Sequence, residues 1–264
     1  KWGYYSLNQG IISGYDKNKL ITAYLRIRNA CKDNGVKEKY AVIKYDTKES
    51  TNPVIITKNA RINGLDSKAL CVYLEDLNLP FEIIQRVHHY VFMDNPELMM
   101  MWSSYYPQLI DGCYCFFQFP ESTRQNYLNK INTTFKHICN QIKTTYGITY
   151  TEDTFTNNYK RYNATQKKKI GKVIHDYIVN HSNYSFRNEG DGLNQTAYPA
   201  LSEGIADPVC ASYAQAFVFC CQKWGIMSTV ILGLGDAQDV NAYLEWAMVN
   251  YTSNNYSDNN IWNV

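Results

Sequence analysis

Apolar positions in the first half of the chain switch between two periods. Over Asp16 to Cys31 they fall at Leu20, Ile21, Tyr24, Leu25 and Ile27, the spacing of one helix face with basic residues opposite. Tyr40 to Tyr45 and Pro53 to Ile56 are short β-branched or aromatic runs between polar segments, which predict strands. Pro80 to Met93 predicts a second helix, with Pro at its first turn and Asp94-Asn95-Pro96 to stop it. Leu98 to Tyr106 and Cys113 to Phe119 predict two strands around a turn at Asp111-Gly112. Helical spacing resumes from Gln125 to Tyr146 through Leu128, Ile131, Phe135, Ile138 and Ile142.

The polar stretch from Gly147 to Gln166 is the expected boundary, dividing a mixed N-terminal extension over 1–160 from a core over 161–264. Beyond it, Thr165 to His181 predicts a helix capped by Thr165, with Lys167-Lys168-Lys169 as a solvated outer turn. An Asn- and Gly-rich loop runs to Gln195, and an apolar helix follows from Cys210 to about Trp224, ended by Gly225. Strands are predicted at Ser228 to Leu232, Ala242 to Tyr251 and Ile261 to Val264. The expected fold class is α+β, the Cys210 helix packing Ala214, Phe217, Val218 and Cys221 on an antiparallel sheet.

Composition removes several function classes. With 45% hydrophobic and 19% charged residues in 264, the chain carries enough apolar material for a core. A net charge of +2 provides no electrostatic footprint for nucleic acid, so none is expected as a partner. The longest apolar run, Ala214 to Cys221, is broken by Gln215 and falls far short of the roughly 20 residues that span a bilayer. The chain opens Lys1-Trp2-Gly3-Tyr4-Tyr5 without a charged-then-apolar leader, so any export signal is expected either to have been removed or to lie outside these residues. Eight cysteines are spread too widely for a disulfide framework and lack zinc spacing, so no metal or other cofactor is expected.

One cysteine has a mechanism for reactivity. A loop containing Gly204 and Pro208 delivers Cys210 to the start of an apolar helix. There, free backbone N–H groups and the positive end of the helix dipole favour thiolate over thiol. The other seven are read as small buried hydrophobes.

Around Cys210 the residues Tyr198, Leu201, Gly204, Val209, Cys210, Tyr213, Ala214, Phe217, Gly225 and Ile226 stand in an order that resembles the nucleophile segment of the transglutaminase-like superfamily of papain-like thiol enzymes. Ile174-His175-Asp176-Tyr177-Ile178 followed by Tyr184, and Asp94-Asn95-Pro96-Glu97 further upstream, resemble flanking segments of bacterial members. The resemblance implies a papain-like core in which the Cys attacks a glutamine carboxamide or peptide carbonyl. A His on the next strand would move the proton, and an Asp or Asn one strand later would orient it. In the register anchored by Trp246 and Val249, the His position is occupied by Leu244. Ile261-Trp262-Asn263-Val264 resembles the strand leading to the orienting Asp, so the core is expected to be cut short at its C-terminal end.

Leu244 cannot accept a proton, and loss of the base removes most nucleophilic activation. None of the five histidines is a natural substitute, and no His nitrogen is expected within roughly 4 Å of the Cys210 sulfur. The resemblance therefore implies a degenerate thiol enzyme, secreted or at the cell surface, binding protein or peptide, including cell-wall peptide. Two alternatives remain: an active thiol protease or transglutaminase with a substitute base, and a surface protein whose 23 Tyr and 5 Trp supply stacking platforms for carbohydrate or peptide.

Overall fold

The computed structural model describes residues 12–36, 55–62, 65–99, 108–110, 113–117, 121–184, 194, 196–202, 208–234, 243–250 and 260–262. They form an α+β protein with two antiparallel sheets, in two compact units spanning 1–124 and 125–264. The expected division at residue 160 falls inside the second unit. The polar stretch that suggested it is tied down: Asn158 is fully buried, and its amide donates to the carbonyls of Lys223 (2.9 Å) and Thr151 (3.2 Å). Polarity marked a buried hydrogen-bonding post there rather than a linker.

The first unit contains α1 (Lys17–Val36), β1 (Ile55–Ile62), β2 (Leu65–Tyr73), a 3-10 turn (Glu75–Leu77), α2 (Phe81–Asp94), α3 (Pro96–Met99), β3 (Gln108–Ile110) and β4 (Cys113–Phe117). Its sheet runs β1-β2-β4-β3. The α1 face built from Leu20, Ala23, Tyr24, Ile27, Ala30 and Cys31 is buried, and α1 packs on α2 and β2. Arg26 forks onto both carboxylate oxygens of Asp76 (2.6 and 2.8 Å), pinning α1 to the 3-10 turn.

The Asp94-Asn95 stop of α2 is also a buried polar joint. The Tyr24 hydroxyl donates to Asp94 Oδ2 (3.0 Å) and accepts from Asn95 Nδ2 (3.0 Å). Burial, with the Asp94 carboxylate beside it, raises the Tyr24 phenol. Leu98 and Met99 belong to α3 rather than to the strand expected from Leu98, because Pro96 starts a new helical turn there. The hairpin expectation fares better, since Ile110 pairs with Cys113 and leaves two residues between β3 and β4. The strand expected at Tyr40 to Tyr45 lies outside the described residues.

The second unit holds nearly all of α4 (Glu121–Tyr146), then α5 (Phe155–Arg161), α6 (Ala164–His181), α7 (Tyr198–Leu201), α8 (Cys210–Lys223), β5 (Met227–Leu234), β6 (Tyr243–Asn250) and β7 (Asn260–Trp262). The helix α8 is apolar all round and buried from Ala211 through Cys221. It packs on β5 and β6, with α6, α7 and α5 also against it. Ile170, Ile174 and Ile178 of α6 and Ile131, Phe135, Ile138 and Ile142 of α4 complete the core.

Two expectations for α6 need correction. Its cap is Asn163, not Thr165: Asn163 Oδ1 accepts from the Gln166 N–H (2.9 Å), while Gln166 Oε1 accepts from the Asn163 N–H (3.0 Å). This reciprocal pair satisfies two donors, leaving Thr165 inside the first turn. Lys167 is not part of a solvated face either. It is 6% exposed, with its ammonium 3.8 Å from the centre of the Tyr159 ring, and burial pushes it down to about 8.

Gly225 ends α8 at φ +69°. Its N–H donates to Gln222 (2.9 Å) and that of Ile226 to Cys221 (2.8 Å), the paired bonds of a Schellman cap. A Cβ at this position would sit 2.3 Å from the Tyr159 nitrogen, so both the backbone angle and the space require glycine.

Candidate functional site

Cys210 is the first residue of α8 and is half-exposed. Val209 precedes it in extended conformation and offers no side-chain cap, so the donors of the first turn must find partners elsewhere. Beside Cys210 lies Tyr184, three residues beyond the end of α6, close enough for its phenol to interact electrostatically with the thiol. Burial and the neighbouring thiol together raise this phenol. The Tyr184 ring lies nearly parallel to that of Tyr213, one turn further along α8, with centroids 6.1 Å apart and planes 16° apart. Tyr184 is 41% exposed, so the pair of Tyr184 and Cys210 lies at the surface of the unit.

The remaining described cysteines are placed differently. Cys31, Cys113, Cys220 and Cys221 are buried. Burial raises the thiols of Cys31, Cys220 and Cys221, and pushes Cys139 up to about 12. Cys71 and Cys115 are directly opposed across β2 and β4.

Tyr198 opens α7 and is fully buried. Its ring packs on Tyr127 at 3.9 Å between centroids, and its hydroxyl has no hydrogen-bond partner among the described residues. The link between its helix and the Cys210 helix lies two positions on from each residue: the Ala200 N–H donates to Ser212 Oγ (3.2 Å). Tyr198 thus helps seat the segment, and its ring goes to α4.

Leu244 and Trp246 lie in β6, opposite Gly233 and Ile231 of β5. That strand runs against α8, as the expected core requires. The expected facing of Leu244 and Cys210 falls on side chains outside the described residues. Three of the histidines have partners elsewhere. His181 hydrogen-bonds the Tyr177 carbonyl through Nδ1 (2.8 Å), and its ring stacks on Tyr177. His175 is next to Asp176 at 3.2 Å, while His88 pairs with the Tyr114 hydroxyl in the first unit at 3.0 Å.

Sequence reasoning included Tyr184 in a flanking segment but assigned it no place at the thiol. The contact spans 26 positions (210 − 184) across a polar loop, so no local periodicity could reveal it. Chemically, the site brings together one thiol, a phenol raised by burial and by the thiol beside it, and the start of an apolar helix. Compared with known proteins, the chain matches no family model and no curated protein.

Proposed function

We propose that this chain keeps the frame of a transglutaminase-like thiol enzyme but works without turnover, as a secreted or cell-surface module that binds protein or peptide, cell-wall peptide included. The observation that carries the reading is the placement of the thiol at the start of α8. A Cys at the first position of an apolar helix, over an antiparallel pair, is where a papain-like nucleophile belongs. Its neighbour is the Tyr184 hydroxyl, with Leu244 at the position of β6 where the resemblance implies an imidazole.

A phenol raised above its ordinary value holds its proton at neutral pH and cannot serve as the base that an amide-cleaving thiol needs. Without that shuttle, acylation by an amide loses roughly 10²- to 10⁴-fold. The Tyr184 neighbour therefore favours binding over an active enzyme with a substitute base.

The test is a glutamine-peptide and amine transfer assay on the parent, Leu244→His and Cys210→Ala proteins. The parent is expected to be inactive, with transfer gained only on introducing the imidazole. Parent activity that vanishes in Cys210→Ala would overturn the reading.

A further inference from the structure

We propose that a trough between α4 and α6 is a binding site for neutral oligosaccharides. Two adjoining cavities of about 500 and 460 Å³ share His137, Tyr177 and His181, and so form one continuous depression. Its α4 wall is a stripe at helical spacing: Asn129, Thr133, His137, Gln141 and Thr144. These alternate around the helix with the buried Ile131, Phe135, Ile138 and Ile142, so α4 turns an apolar face to the core and a hydrogen-bonding face to the trough. From Asn129 to Thr144 the stripe runs 15 residues, or about 22 Å at 1.5 Å per residue. That length suits a chain of sugars better than a single ring.

The opposite wall supplies a flat surface. Tyr177 and His181 stack with centroids 4.0 Å apart and planes 9° apart. A carbonyl can only accept, so the bond from His181 to the Tyr177 carbonyl places a proton on Nδ1 and turns Nε2 away from it, free to meet a ligand hydroxyl. The exposed His181 ring is thus held flat and oriented, with one face on the phenol.

The lining selects among ligand chemistries by what it lacks. None of the lining side chains is acidic, and Lys130 is the single Lys or Arg, so a polyvalent ion would find little to pair with. Ala200 and Leu201, at one end, are the aliphatic side chains of the lining, and every other lining residue carries a hydrogen-bonding group beside its carbons. Both long walls are helices, so an extended peptide would have no strand edge to extend. What remains is a neutral ligand rich in hydroxyls that both donate and accept, with a C–H face to lie on an aromatic ring. Amides, threonine hydroxyls and a clamped imidazole complement it.

The site shares no residue with Cys210, so its test separates from that of the thiol. The full chain would be applied to a printed array of neutral oligosaccharides, and the best hits titrated by saturation-transfer NMR, beside cellotetraose, chitotetraose, maltotetraose and an extended Gly-Ser peptide. Saturable binding of a neutral oligosaccharide is expected. It should weaken at least about tenfold in Thr133→Arg and in His181→Ala, both exposed positions, and stay unchanged in Cys210→Ala. Circular dichroism would establish that each variant is folded. No binding on the array, binding indifferent to both trough variants, or capture of the peptide in place of sugar would each overturn the proposal.

Discussion

Tyr184 is the residue on which the candidate site turns. Its phenol lies beside Cys210, within reach of donating to the sulfur, and a phenol donor to a thiolate makes a charge-assisted bond of about 1.5–3 kcal/mol. Tyr184→Phe keeps the ring against Tyr213 and removes only that donor. Alkylation of Cys210 by iodoacetamide at neutral pH should slow by about tenfold, read by mass spectrometry of the Cys210 peptide. An unchanged rate would show that the phenol does nothing for the thiolate. Cys210 itself could be singled out beforehand, because a Gly- and Pro-bearing loop running into an apolar helix is a local pattern. Its partner could not, and Lys167 shows the same limit. A binary pattern counts lysine as polar and outward, whereas here the ammonium lies over the Tyr159 ring.

At the scale of elements, the start, length and end of α8 follow from Pro208, a mainly apolar run broken by Ser212 and Gln215, and Gly225, so this helix was readable in advance. Gly225→Ala should cost ~3 kcal/mol or more, combining left-handed strain with a clash against the backbone of α5, and a large fall in Tm would show it. A small shift would mean that the cap can reorganise. The strand β2 was missed because Asp66, Ser67 and Lys68 interrupt its apolar run, and its place depends on β1 and β4 at either side. Its register has a sharp chemical check. Cys71 and Cys115 are direct partners, at a Cα separation of roughly 4.5–5.5 Å for opposed antiparallel residues, which a disulfide can span. Diamide oxidation of the native protein should yield a cross-linked 71–115 peptide in a non-reducing digest. Its absence, with both thiols free, would contradict the register.

On the scale of the whole molecule, the two units differ in what threatens them. In the first, His88 is 2% exposed beside Phe92 and Tyr114, and burial pushes it down to about 3. An unfolded histidine takes up its proton near pH 6.5, so between about 6.5 and 3 the unfolded chain binds more protons than the folded one. The stability of this unit should therefore fall as pH drops through that window, and His89, also lowered by burial, adds to the slope. Denaturant midpoints at pH 7 and pH 4 would measure it, and His88→Gln should flatten the difference; an equal slope in both proteins would remove His88 as its source. The second unit is organised around α8, whose residues from Ala211 to Cys221 are buried without a break. Such a helix has no wet side from which it could fray piecemeal. The backbone amides of its central turns can meet solvent deuterium only when the unit opens as a whole, so their exchange rate is a direct reading of that unit's global free energy of unfolding.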